Sequence, residues 1–162
     1  MTSGNITQIG VKPCMPGEHG LPKKPVPSAE IHFGGVDGDY NNFRQEKKKG
    51  EPDMAVLVLP TEVINDLNRA GWPVSPGDLG ENLTVSGIPH TDFFSGQQFQ
   101  TGETVIEISF ECDPCTNLSV LSYVGEKKIN VFIKTLMHRR GWYAKVIQPG
   151  TIKTGDLIRQ IK

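Results

Sequence analysis

The sequence Cys112-Asp-Pro-Cys115 is the segment of this chain best suited to chemistry. It follows a run of alternating apolar and polar residues, which predicts a strand, and it precedes a segment that can be helical. A thiol beside a helix N-terminus favours the reactive thiolate, because the helix dipole stabilises negative charge there. The spacing is equally compatible with a buried thiol that packs as a small apolar side chain.

Two other roles for the cysteines can be weighed from their number. A structural zinc site needs four ligands, but the chain has one CxxC pair, a remote Cys14 and four histidines without close pairing, so we expect no zinc. A thiol–disulfide redox pair formed by Cys112 and Cys115 stays open, although the alternating βα order typical of thioredoxin-like folds is missing. Three cysteines argue against a disulfide framework.

A glycine-rich segment over residues 76–87 forms a second candidate site. It reads Pro-Gly-Asp-Leu-Gly-Glu-Asn-Leu-Thr-Val-Ser-Gly, which places Glu81 and Asn82 between a turn containing Gly80 and a predicted strand. Backbone N–H groups and an amide side chain can converge there on a polar ligand. The alternative is a plain turn in which Asn82 bonds its own backbone. The spacing fits neither glycine motif for phosphate.

The charge distribution gives a third signal. Residues 116–145 contain six basic residues and one acidic residue, a net of +5, whereas the whole chain has a net charge of −1. The basic stretch can hold a small phosphate-bearing ligand, or it can be a solvated helix face. The overall balance lacks the basic excess of a nucleic-acid-binding protein, so we expect no nucleic acid partner.

The elements that position these residues are predicted to be mainly β. The 18 glycines and 12 prolines are spread along the chain, as many short strands with frequent turns require. Period-two or apolar runs predict strands at Met54–Leu59, Leu83–Ser86, Glu103–Glu111, Tyr143–Ile147 and Leu157–Ile161. Within the third run, we expect Ile106, Ile108 and Phe110 to share one face.

Two helices and two loops complete the prediction. Apolar spacing and end signals indicate one helix from Thr61, as N-cap, to Gly71, and a stronger one from Glu126 to Arg140. A loop with five prolines spans residues 12–27, and a polar loop spans residues 41–53 with Lys47-Lys48-Lys49 as a solvated tip. We predict a single domain over residues 1–162, a mostly antiparallel β-barrel or sandwich with one or two peripheral helices.

The chain shows no apolar run of membrane-spanning length, and its N-terminus lacks the pattern of a signal peptide. We therefore expect a soluble cytoplasmic protein without a membrane partner. The small number of cysteines agrees with a reducing compartment.

Four stretches, in chain order, resemble the MOSC domain, named for the C-terminus of molybdenum-cofactor sulfurase. They are Gly-Val-Asp-Gly-Asp at 35–39, the glycine-rich segment at 76–87, Pro-Cys at 114–115, and Arg-Gly-Trp-Tyr-Ala-Lys-Val-Ile-Gln-Pro-Gly-Thr-Ile-Lys-Thr-Gly-Asp at 140–156. The resemblance covers nearly the whole chain, and the second and fourth stretches are long enough to be specific. It implies a mostly β, barrel-like fold.

The resemblance also implies a function. The family includes stand-alone bacterial proteins and the mitochondrial amidoxime-reducing components, which carry a molybdenum cofactor and reduce N-hydroxylated compounds. The family's cysteine, a molybdenum ligand or a proposed persulfide carrier, corresponds to Cys115. By the same match the cofactor cleft is lined at Gly80, Glu81 and Asn82, with Lys23 and Arg140 as anchors for the pterin phosphate.

The chemistry of these residues supports the combination. One thiolate cannot hold a bare transition metal against water, but molybdopterin brings a soft dithiolene pair that matches a thiolate donor. Its phosphate needs cationic or N–H partners, which the basic stretch can supply. We expect an oxidoreductase that acts on a small N-hydroxylated substrate. No flavin, haem or iron–sulfur motif is present, so its electrons would come from a separate reductase.

Two alternative functions stay open, and two features of the chain differ from the family pattern. The protein can instead be a sulfur carrier, in which a cysteine desulfurase loads a persulfide on Cys115, or the thiol–disulfide protein described above. Many relatives place a histidine shortly after the Gly-Asp, where this chain has Tyr40-Asn41-Asn42. The family does not require Cys112, which in this chain could pair with Cys115 and block a metal.

Overall fold

The computed structural model describes residues 1–41, 44–45 and 48–162, and that part of the chain is built around β-strands. The strands are β1 (Ser3–Val11), β2 (Lys24–Val26), β3 (Ser28–His32), β4 (Gly35–Val36), β5 (Val56–Pro60), β6 (Leu83–Ser86), β7 (Gln98–Thr101), β8 (Thr104–Glu111), β9 (Trp142–Gln148), β10 (Gly150–Lys153) and β11 (Leu157–Gln160). The helices whose full extent is described are α1 (Thr61–Arg69) and α2 (Gly125–Leu136).

Seven of these strands close into a barrel. The order around the ring is β1-β11-β7-β8-β9-β5-β6, and β6 returns to β1. All neighbouring pairs are antiparallel except β5 and β6, which are parallel. The strand β2 extends the barrel sheet beside β1, and β10, β3 and β4 form a separate three-stranded sheet. The prediction of a mainly β, mostly antiparallel barrel with peripheral helices is confirmed.

Two apolar clusters follow from this arrangement. Alternate residues of the barrel strands point inward and form the first cluster, which includes Ile6, Val58, Val85, Ile106 and Ile158. The apolar stripes of the helices form the second cluster with the segment that precedes α2; its members include Leu59, Leu67, Leu79, Leu118 and Phe132. The helices thus pack outside the barrel, beside the turn that contains Gly80.

The second helix is shorter than predicted. Its last helical residue is Leu136, and the next two residues leave the helical region: Met137 has ψ of 127° and His138 has φ of +61°. Arg140 therefore lies outside the helix, with a buried side chain rather than a place on a solvated last turn. At the other helix, Pro60 rather than Thr61 occupies the N-cap position.

Strand β8 departs from simple alternation at its end. Ile108 pairs with Ala144 and Glu111 pairs with Trp142, so Ser109 and Phe110 together oppose one residue of β9. Such a β-bulge redirects the side chains that follow it. Ile106 and Ile108 are buried as predicted, but the prediction that Phe110 shares their face is wrong, because its side chain is 43% exposed.

The two predicted loops are partly ordered. Strand β2 lies at the end of the proline-rich segment 12–27. In the polar segment 41–53, Arg44 is buried and donates hydrogen bonds to the carbonyls of Gly34, Gly50 and Glu51. Lys48 and Lys49 are exposed, as expected for the tip, and Lys47 lies outside the described residues.

Candidate functional site

A cleft with a volume of about 470 Å³ opens beside the end of β8, within the size range of small-molecule sites. It brings Cys115 together with Gly80, Arg140 and Lys23, four of the residues selected from the sequence. The wall also contains residues that were not predicted to belong to the site, among them Asn41, Met54, Leu57, Phe110, Glu111, Asp113, Asn117 and Tyr143.

The sulfur of Cys115 lies on this wall. The residue is half-buried, has an extended backbone (φ −139°, ψ 168°) and precedes the short 3-10 helix Thr116–Val120. Its Sγ accepts a hydrogen bond of 3.3 Å from Nη1 of Arg140. The thiol is therefore accessible from the cleft and has a cation beside it, which is the environment of reactive rather than inert cysteines.

Arg140 connects two loops that are distant in the sequence. Besides the cysteine sulfur, its Nη1 donates to the carbonyl of Asp113 at 2.9 Å, and its Nη2 donates to the carbonyl of Leu79 at 3.2 Å. The side chain is buried, and its Nε has no hydrogen-bond partner in the described part of the chain. The guanidinium therefore holds the cysteine loop against the glycine-rich turn.

Glu81 supports that turn from behind the cleft wall. One carboxyl oxygen accepts hydrogen bonds from the amide of Gly77 at 2.5 Å and from the hydroxyl of Thr84 at 3.1 Å. Burial raises the pKa of Glu81 to about 7, although these hydrogen bonds act in the opposite direction. Glu81 does not line the cleft, contrary to the expectation from the sequence.

The side-chain amide of Asn82 likewise forms its hydrogen bonds within the protein. Its Oδ1 accepts from the amide of Leu57 at 3.0 Å, and its Nδ2 donates to the carbonyl of Gly10 at 3.2 Å and to Asp39 at 2.8 Å. The side chain is buried and, like Glu81, is not part of the cleft lining. Its amide joins β1, β5 and the glycine-rich turn instead of facing a ligand.

Lys23 belongs to the lining but already has an acidic partner. Its Nζ donates to Asp39 at 2.8 Å and to the carbonyl of Tyr40 at 3.0 Å, and both members of the ion pair are buried. Burial lowers the pKa of Lys23, while Asp39 opposes that change. Asp39 therefore balances the charge predicted to anchor a phosphate. In the sequence, the importance of Asp39 was indicated only by its place at the end of the Gly-Val-Asp-Gly-Asp stretch at 35–39.

Cys112 occupies a different environment from Cys115. It is buried in a small cluster with Met54, Leu57 and Tyr143, and it does not line the cleft. Burial raises the pKa of its thiol, and both cysteines are free in the structure. The two sulfurs of the CxxC segment thus differ in accessibility, which favours a reaction at Cys115 alone.

No group of three or more His, Cys, Asp or Glu residues within the described ranges could hold a metal ion. A metal at Cys115 must therefore bring most of its other ligands with it. The same ranges contain no helix that is long and apolar enough to span a lipid bilayer.

Comparison with known proteins identifies the family. The model of the MOSC domain matches residues 45–159. The chain belongs to the MOSC domain family. It is similar to YflK of Bacillus subtilis strain 168, described as uncharacterized, with 30% identity over 147 residues that cover 85% of this chain and 61% of YflK. It is also similar to YiiM of Escherichia coli K12, with 29% identity over 126 residues that cover 73% of this chain and 52% of YiiM.

This MOSC chain therefore spans between half and two thirds of the length of these curated relatives. Among solved structures, the YUAD protein of Bacillus subtilis superposes with a TM-score of 0.77 at 20% identity, covering 96% of this chain and 94% of YUAD. YiiM of Geobacillus stearothermophilus gives 0.75 at 23% identity, covering 98% of this chain and 75% of YiiM. At these identities the likeness establishes the shared fold.

Proposed function

We propose that this MOSC protein binds a molybdenum cofactor in the cleft and reduces N-hydroxylated compounds, with Cys115 as the protein ligand to the metal. The observation that carries the proposal is the accessible sulfur of Cys115, held by Arg140 on the wall of a cleft of about 470 Å³. Membership of the family supports the class of cofactor.

The donor set of the cleft fits such a group. In the described part of the chain no group of three or more His, Cys, Asp or Glu residues surrounds Cys115, and a single soft thiolate suits a metal that arrives with its own sulfur donors. Arg140 and Lys23 contribute positive charge to the same wall, and Gly80 lines it at the turn without a side chain. Lys23 already pairs with Asp39, so the guanidinium of Arg140 is the stronger attraction for an anionic pterin tail.

The reaction converts R–NH–OH, two electrons and two protons into R–NH₂ and water. When bound, the cofactor would supply the two-electron chemistry at the N–O bond. The chain itself would orient Cys115 through Arg140 and hold the substrate against the wall formed by Phe110 and Tyr143. The exposed carboxylate of Asp113, which also lines the cleft, is available to pass protons from solvent. A separate reductase would provide the electrons.

Metal analysis tests the proposal directly. The wild type, Cys115→Ala and Cys112→Ala are produced in a host that makes the cofactor, and molybdenum per protein is measured. We expect molybdenum in the wild type and in Cys112→Ala and its loss in Cys115→Ala. Each preparation is then assayed for amidoxime reduction with a chemical electron donor. Equal metal in the wild type and in Cys115→Ala, or no metal in either, would overturn the assignment.

A sulfur carrier is the second candidate function. The guanidinium beside Cys115 can stabilise an anionic persulfide as well as a thiolate, because it donates its hydrogen bond to the sulfur in either state. Incubation with a cysteine desulfurase and cysteine should then add the mass of one sulfur atom to the wild type and not to Cys115→Ala. If no such adduct forms on the wild type, the carrier hypothesis fails.

The accessibility of the two thiols separates both candidates from a thiol–disulfide protein. A redox pair needs both sulfurs, so Cys112→Ser should then abolish activity as completely as Cys115→Ser. The metal and carrier hypotheses both expect Cys112→Ser to stay active, because Cys112 lies outside the cleft.

A further inference from the structure

The bulge at the end of β8 gives Phe110 an unusual position for a large apolar side chain. Continued alternation would bury its ring in the barrel with Ile106 and Ile108. Instead, two residues of β8 oppose the single residue Tyr143 of β9, and Phe110 becomes part of the cleft lining. Bulges often redirect a side chain next to an active site.

The ring of Phe110 is exposed on one side and packs against a buried ring on the other. Its side chain is 43% exposed, while Tyr143 behind it is buried and tilted by 54°, with the two ring centroids 5.4 Å apart. A phenyl ring held toward water within a concave site costs free energy that a flat apolar ligand can recover by covering it. Aromatic pairs contribute further through offset or edge-to-face contacts.

The same wall contains acidic and apolar groups. Glu111 follows Phe110 directly and pairs with His138 at 3.0 Å, and Asp113 lies further along the same segment. Met54 and Leu57 add apolar surface nearby. Because Lys23 and Arg140 belong to the same lining, its charges are mixed, and it is the apolar surface around Phe110 that a flat unsaturated ring matches better than a flexible chain.

We propose that Phe110 is a specificity-determining residue that selects N-hydroxylated substrates with a planar unsaturated ring next to the nitrogen group. This inference rests on the proposed function, because it concerns the substrate of the same cleft. The ring of Phe110 stacks against the ring of the substrate, which places the N–O group deeper in the cleft.

A binding experiment tests the role of Phe110 without the cofactor. Cofactor-free protein with Cys14→Ser, which removes the exposed thiol outside the cleft, is treated with a small alkylating agent. Modification of Cys115 is followed in the presence of benzamidine or cyclohexanecarboxamidine. These probes share the amidine group and differ in having a planar or a saturated ring.

We expect benzamidine to protect Cys115 at about tenfold lower concentration than the saturated probe. Phe110→Leu should remove this difference, and Phe110→Trp should keep it. Phe94→Leu is the matched control, because Phe94 is similarly exposed but lies outside the cleft lining. Equal protection by both probes in the wild type, no protection by either, or an unchanged preference in Phe110→Leu would overturn the inference.

Kinetics of the cofactor-loaded protein provide the second readout. Phe110→Leu should lower kcat/KM for benzamidoxime about tenfold more than kcat/KM for cyclohexanecarboxamidoxime, because only the planar ring loses a stacking partner. A uniform fall in kcat for both compounds would indicate a disturbed site and contradict a specificity role. A protein without molybdenum would contradict the proposed function. The protection experiment uses cofactor-free protein, so it would still test the role of Phe110.

Discussion

The guanidinium of Arg140 lies 3.3 Å from the sulfur of Cys115 and also donates hydrogen bonds to the carbonyls of Asp113 and Leu79. A single buried cation thus holds the cleft thiol and joins the two loops on either side of it. The same contacts explain why α2 ends before Arg140, because a side chain on the solvated face of that helix could not reach these acceptors.

Loss of this cation should destabilise the fold. Arg140→Met removes hydrogen bonds to two carbonyls and to the sulfur, and we expect the free energy of unfolding to fall by about 2–4 kcal/mol. The neighbouring Arg139→Met is the control, because Arg139 is only partly buried and its Nε donates to the carbonyl of Thr135. Urea denaturation measures both, and equal losses would contradict the bridging role of Arg140.

The buried carboxyl of Glu81 should make stability depend on pH. Its pKa rises from 4.5 to about 7 on folding because of burial, so the folded protein retains a proton that the unfolded chain releases. This contribution to stability therefore falls as pH rises from about 4.5 to about 7, by up to about 3 kcal/mol.

Glu81→Gln should remove that dependence. The amide oxygen can still accept from Gly77 and Thr84, and it cannot ionise. Between pH 5 and pH 8, the free energy of unfolding of the variant should rise by about 2 kcal/mol relative to that of the wild type, as measured by urea denaturation. His90, whose pKa is lowered by burial, titrates equally in both proteins and cancels in the difference. A difference between the two proteins that does not change with pH would disprove the assignment.

The ion pair of Lys23 and Asp39 should be strongly coupled. Asp39→Asn leaves a buried ammonium without its counter-charge, and we expect a loss of about 3–5 kcal/mol in the free energy of unfolding. Adding Lys23→Met removes the unpaired charge, so the double variant should be more stable than Asp39→Asn alone. If the two effects simply add, Lys23 is not held by Asp39 in solution.

The close approach at Gly77 can be tested against a glycine of the same backbone conformation. Gly77 has φ of +93° and Gly96 has φ of +91°, but a Cβ at Gly77 would lie 2.5 Å from the carbonyl oxygen of Lys23, while nothing lies within 4 Å at Gly96. Gly96→Ala should lower the free energy of unfolding by about 1–2 kcal/mol, because only the backbone conformation is unfavourable there. Gly77→Ala should cost clearly more. If both variants lower the melting temperature equally, the backbone at Gly77 must move to accommodate the added Cβ, and the close approach carries no extra cost.

The elements predicted from the sequence are those with strong local periodicity. The run at Leu83–Ser86 alternates apolar and polar residues, and both this run and the apolar-rich run at Leu157–Ile161 are strands within a residue of their predicted ends. Strands such as β2, β4 and β10 were missed, because they contain two to four residues with Pro or Gly and depend on partners far away in the sequence. Local patterns carry no information about such pairing.

For the site, the sequence indicated which residues matter but not which way they face. Cys115, Arg140, Gly80 and Lys23 meet at one cleft. Glu81 and Asn82 belong to the same turn, but hydrogen bonds to the protein hold them behind its wall, and no pattern of residue types distinguishes a ligand contact from a buried support. Phe110 escaped prediction because the bulge exists only when β8 pairs with β9.

The pairing of β1 with β11 has a consequence for how this protein is made. Ser3 aligns with Arg159, and Asn5 aligns with Leu157, so the seam of the ring joins segments from opposite ends of the described sequence. While the ribosome still holds β11, the nascent chain presents open hydrogen-bonding edges on β1 and β7. Such edges can recruit strands from neighbouring nascent chains, so the interval before the seam closes is when this barrel most needs protection by chaperones.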